Sequence, residues 1–126
     1  MPLARMDPRE AYRISEIDAR LDGAPPGVLL AFCLGEVAHS IGDALMADAR
    51  GNVSPRGRAL TRALTALTAL EMGVDRSSPL AEALLQVYGA ARRTLLDGAL
   101  VFERRPLEAV RADFVEIMAA MNGRGG

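Results

Sequence analysis

The stretch Leu107–Met121, LEAVRADFVEIMAAM, sets Leu107, Val110, Phe114, Ile117 and Met121 at intervals of 3, 4, 3 and 4. Those intervals bring apolar side chains back to one side of an α-helix. Sustained this way, they suit the seam of a left-handed helical bundle. A helix with one apolar stripe needs partners of the same kind, and the rest of the chain supplies them. Leu30, Leu34, Val37, Ile41 and Leu45 form a second stripe, with Glu36, Ser40 and Asp43 placed away from it. Leu84, Tyr88, Ala91, Leu95 and Phe102 keep a similar register between Ser78 and Phe102.

The breaks between these segments are legible. Asp7-Pro8, Ser54-Pro55 and Ser78-Pro79 each put a capping side chain before a proline, the arrangement of a helix start. Glu10 adds a capping-box spacing to Asp7. Arg50-Gly51-Asn52 supplies a left-handed stop, and GAPPG (Gly23–Gly27) and Arg105-Pro106 are further breaks. No segment has the alternation of a strand. Short connections favour antiparallel neighbours, so the expected fold is all-α: an antiparallel up-down four-helix bundle spanning residues 25–121, within a single domain of residues 1–126. A short N-terminal segment, residues 7–22, stands apart from it. Tyr12, Ile14, Ile17 and Leu21 give that segment a modest apolar edge, and a helix so short must dock to be ordered. It is either fixed structure or a detachable cover.

Composition narrows the function. Of 126 residues half are apolar, 4% aromatic and 25% charged, which suits an ordered aliphatic domain. A net charge of −1 is the wrong balance for nucleic acid or an anionic membrane surface. The lone Cys33 forms no internal disulfide and reads as a small buried hydrophobe, in keeping with a reducing, cytoplasmic setting. The N-terminus has no secretory hydrophobic core. The apolar run GVLLAFCLG (Gly27–Gly35) is too short to cross a bilayer, so no membrane insertion is expected.

The chemistry of catalysis is sparse. His39 is the only histidine; with Asp43 one turn on, it reads as a solvated helix surface rather than a metal site. Cys33 and His39, six residues apart, fall on different faces. Glu36, Glu71, Glu82 and Glu116 could converge as di-metal ligands inside a bundle, but such sites need an E-x-x-H from each of two helices, and with one histidine only Glu36–His39 has that spacing. We therefore expect no catalytic residue, no metal and no cofactor.

What remains is surface. In LTRALTALTAL (Leu60–Leu70), Leu60, Leu64, Leu67 and Leu70 share one sector of the helix, with Thr61, Thr65 and Thr68 along its flank. Charge is confined to Arg58 and Arg62 at the start and Glu71 at the end. The leucines read as core and the threonines as a mildly polar rim. Alternatively, the Thr/Ala flank and a neighbouring helix form a groove for a partner helix. Tyr88 and Phe102 read first as core, although an aromatic at a groove edge would serve as an anchor.

Read together, AYRISEIDARLDGAPPGVLLAFCLGEVAHSIGDALMADARG (residues 11–51), LTALEMGVD, LAEALLQVYGAARRTLLDGAL and the closing LEAVRADFVEIMAAM resemble the flagellar export chaperone family, FliS. Ala11, Tyr12, Asp18, Ala19, Pro26, Leu29 and Leu30 carry the first part of the likeness, and Tyr88, Arg93, Leu95 and Ala99 the second. It runs over roughly residues 8 to 121. The resemblance implies a cytoplasmic bundle with an N-terminal capping helix. Its partner is the disordered C-terminal segment of flagellin, which folds on binding, is kept from premature polymerisation and is passed to the flagellar export gate. The cover then falls on Tyr12, Ile14 and Ile17, and the groove on Leu64, Thr65, Thr68, Tyr88 and Leu95. An exposed groove also permits weak self-association. The alternative is a non-enzymatic helical adaptor or regulatory bundle with another protein partner.

Overall fold

The structure is a computed structural model and describes residues 26–125. Among them are four helices and no strand: α1 (Pro26–Ala49), α2 (Val53–Met72), α3 (Ala81–Leu100) and α4 (Arg104–Gly125). The segment of Tyr12, Ile14 and Ile17 lies outside the described residues.

Helix α1 packs against α2 on one side and α4 on the other, and α3 closes the set against α2 and α4. Being sandwiched, α1 buries more than one stripe: Cys33, Val37, Ala38, Ser40, Ile41 and Ala44 are all in the interior. This corrects two sequence expectations. Ser40 is fully buried rather than facing water, and Leu30, at the start of the stripe, is exposed. The same wrapping explains α1's composition. Over Gly27–Ala49 its mean hydropathy of 1.5 and its length meet the threshold for a membrane span, which the shorter apolar run alone does not. Two packed sides give a core helix the same composition.

Two glycines of α1 lie where α4 side chains cross it. A Cβ on Gly42 would stand 3.2 Å from Arg111 Nε, and one on Gly35 would stand 3.5 Å from Met118 Sδ. Helix α1 then stops where Gly51 takes φ 73°. There Asn52 N–H donates to Ala47 O at 2.8 Å and Gly51 N–H to Asp48 O at 3.0 Å, the two bonds of a Schellman stop. This turn starts α2 at once, because Asn52 O accepts from Arg56 N–H at 3.2 Å. The predicted Ser54 cap is therefore not used. Ser54 lies inside the helix and its hydroxyl accepts from Arg58 at 2.8 Å. The predicted Ser78 cap is displaced as well: α3 begins at Ala81 with Leu80 at its N-cap and no side-chain cap. Ser78 sits in the turn before it, its hydroxyl accepting the Leu80 N–H at 3.1 Å and its carbonyl the Ala81 N–H at 3.1 Å.

The core runs through Leu34, Ile41, Leu67, Leu95, Leu107 and Phe114, with Tyr88 and Phe114 rings 6.4 Å apart. Leu107, Val110 and Phe114 are buried as their spacing predicts. At one end a single carboxylate ties three helices. Asp48 takes Arg56 at 2.9 Å and Arg104 at 3.4 Å, Arg104 also donates to Leu45 O at 3.0 Å, and Arg56 lies 4.7 Å over the Phe102 ring.

Candidate docking groove

The groove is built on the flank of α2 that carries the threonines. Each hydroxyl donates to its own helix: Thr61 to Gly57 O at 3.1 Å, Thr65 to Thr61 O at 3.0 Å and Thr68 to Leu64 O at 3.0 Å. Back-bonding of this kind is open to serine and threonine in helices. It leaves the flank with methyl groups and no donor in search of a partner.

Arg92 of α3 fixes the opposite wall. Its Nε donates to Glu71 Oε1 at 3.1 Å and its Nη2 to Thr68 Oγ1 at 2.8 Å, and a further close contact joins Nη2 to Glu71 Oε1. The side of α3 that carries Arg92 therefore faces α2. At 100° per residue, Leu85, Gly89, Leu96 and Leu100 fall within about a quarter turn of Arg92. Leu96 is 47% exposed and Leu100 is 86% exposed, while Met72 at the end of α2 is 81% exposed. A Cβ at Gly89 would meet nothing within 4 Å, so the wall is open there. An open concavity lies along the first half of α3, lined by Leu85, Gly89 and Arg93 together with Arg76. The result is an apolar surface along the α2–α3 seam, with exposed leucines on the α3 side, threonine methyls on the α2 side and the Arg92–Glu71 pair joining the two helices; this seam is the candidate trough.

The predicted site residues divide by depth. Leu64, Thr65 and Thr68 are half-buried and belong to the trough, with Leu64 packed on the core below. Tyr88 (2% exposed) and Leu95 (fully buried) lie beneath it, so they shape the floor from inside and offer no surface. Burial also raises the Tyr88 phenol pKa. Leu96, Leu100 and Arg92 were missed by the sequence reading. Leu96 and Leu100 are apolar, one turn apart and off the buried register of α3, which is the signal that marks them.

The polar groups elsewhere are engaged or inert. Asp43 receives Arg62 at 3.3 Å and stands 3.4 Å from the exposed His39. The Cys33 thiol is pushed up to about 11, first by burial and then by the Glu36 charge, so it stays protonated and unreactive. Among the described residues no three His, Cys, Asp or Glu side chains gather as a metal site.

A family model described as flagellar protein FliS matches residues 8–121. The chain belongs to the FliS family. No curated protein and no solved structure matches it. FliS proteins are flagellar chaperones, and membership places this chain in flagellum biogenesis.

Proposed function

We propose that this FliS-family protein is a cytoplasmic export chaperone for flagellin. It binds the disordered C-terminal segment of the subunit, keeps it from polymerising and hands it to the export gate. The observation that carries this reading is the α2–α3 trough, where three threonines have returned their protons to their own backbone. A client helix can dry such a wall without stranding a donor, and stranded donors are the main penalty in burying polar surface.

The paired positions support an up-down arrangement. Asp43 meets Arg62 while Asp48 meets Arg56, and Gly35 meets Met118 while Gly42 meets Arg111. In each pair of helices, one number rises as the other falls. Such a bundle brings Leu29, Phe32, Val74, Leu84, Ile117 and Met118 to the end where Pro26 enters, and all six are only half-buried. Residues 7–22 precede that end, and Tyr12, Ile14 and Ile17 are suited to cover it. Displacement of the cover is then part of loading.

The test is calorimetry of the full chain with a peptide spanning the C-terminal segment of the same organism's flagellin. One-to-one binding, gained helicity and a negative heat-capacity change are expected. Absence of heat together with unchanged circular dichroism overturns the proposal. Thr65→Glu, which sets a charge on the trough wall, should leave the fold intact and abolish binding.

A further inference from the structure

Helix α3 is held less firmly than the rest of the bundle. While α1 lies closely along both α2 and α4, α3 runs wide of α2 and wider still of α4. Of its buried residues Ala81, Ala91 and Gly98 are small, which leaves Tyr88 and Leu95 as the large anchors. Tyr88 packs towards Phe114, and Gly98 lies against Leu107 of α4. Val87, Leu96 and Leu100 of the same helix are exposed. The polar hold is Arg92, which reaches Glu71 and Thr68 on α2. The two ends of α3 differ. After it, Phe102 sits beneath the Arg56 guanidinium and Arg104 is tied to Leu45 O and Asp48, so residues 101–103 are a short link pinned to the other helices. Before it, residues 73–80 bond locally: Asp75 accepts from the Ser77 N–H and hydroxyl, and Ser78 accepts from Leu80.

We infer that α3 is a flap, hinged at residues 101–103 and latched by Arg92 on Glu71 and Thr68, which opens as a unit while α1, α2 and α4 stay packed. Elements with few buried apolar contacts are the ones that open below the cost of global unfolding. A lifted helix of this length is marginal alone, so its amides lose their protection as it opens. Opening uncovers Leu107 and Phe114 and turns the shallow seam into an apolar cleft between α2 and α4. Cys33 is uncovered with them. The Tyr88 phenol is raised first by burial and then by the Cys33 charge, which places the thiol close to the ring that the flap carries. The inference concerns the chain alone and holds whatever the trough carries.

Native-state hydrogen exchange of the full chain, followed by mass spectrometry, reads the helices separately. Amides of α3 should be at least about 10-fold less protected than those in the middle of α1. Arg92→Met should lower the protection of both helices by about 5- to 30-fold, because either kind of opening breaks the latch. Gly51→Ala strains the α1–α2 turn, which stays folded when the flap lifts. It should therefore lower α1 by about 5-fold and leave α3 unchanged. Labelling of Cys33 by a thiol reagent should follow α3, faster in Arg92→Met and unaltered in Gly51→Ala. Equal protection of α1 and α3 in the parent overturns the inference, as does an equal response of the two helices to Gly51→Ala, since the bundle then opens only as a whole. Unchanged α3 protection in Arg92→Met overturns the latch. Cys33 labelling that quickens in Gly51→Ala takes the thiol out from under the flap.

Discussion

Arg92 and Glu71 are joined across the α2–α3 interface, with the guanidinium Nε 3.1 Å from Oε1 and 3.3 Å from Oε2. Helix α3 makes fewer close approaches to its neighbours than α1 does. This pair, seated on Thr68, is therefore a large share of what fixes α3 sideways. Arg92→Met should lower stability by about 1–2 kcal/mol, because it leaves a mostly buried carboxylate without its donors. Glu71→Gln, which keeps an acceptor, should cost less. Urea unfolding followed by circular dichroism measures both, and equal midpoints for all three proteins would show the pair to be idle.

Ser40 is fully buried and its hydroxyl has no hydrogen-bond partner among the described residues. A buried hydroxyl without a partner is a cost, and alanine is the better helix former. Ser40→Ala should raise stability by about 1 kcal/mol. A lower denaturation midpoint would mean that the hydroxyl is satisfied in solution.

Two glycines should respond in opposite directions to the same change. Gly51 has φ 73°, which a side chain resists, so Gly51→Ala should destabilise by about 1 kcal/mol. Gly57 is helical and a Cβ there meets nothing within 4 Å, so Gly57→Ala should stabilise by about 0.5–1 kcal/mol. Thermal melts of the two variants against the parent decide the signs.

Cys33 links stability to alkaline pH. Its folded pKa, about 11, stands above the ordinary 9.0, so the folded thiol keeps its proton after the unfolded one has lost it. Stability from this group is complete below pH 9 and is lost as pH rises towards about 11, at a limiting slope of about 1.4 kcal/mol per pH unit. Tyr88, also raised by burial, acts in the same direction. Denaturation midpoints should fall over that window, and less steeply in Cys33→Ala. A thiol reagent at neutral pH should label Cys33 only through opening of the bundle.

Several features could be read before any coordinates because they depend on neighbours in sequence. The 3-4-3-4 spacing fixes which side of α4 is buried, and Gly51 is where a left-handed stop must fall. Ser78 and Pro79 mark the approach to α3, although the helix itself begins at Ala81 behind Leu80. Ser40 could not be read this way, since α1 is packed by both α2 and α4 and no periodicity in α1 reveals a second buried side. Ser54 was misjudged for a related reason: the Schellman turn at Gly51 already delivers the first helical acceptor, leaving nothing for Ser54 to cap. In the trough, Leu64, Thr65 and Thr68 were legible from their missing charge. The opposite wall required knowing which side of α3 turns towards α2, and Arg92 supplies that only in three dimensions. Tyr88 and Leu95 show the limit of motif reasoning, since a residue can shape a groove from below without reaching its surface.

The threonine back-bonds bear on release as much as on capture. A wall that binds by recruiting free donors must find new partners for them when the occupant leaves, and that search slows departure. Thr61, Thr65 and Thr68 keep the same carbonyls whether the trough is wet or dry. Emptying it would then require no rearrangement of the wall, which suits the hand-off proposed above.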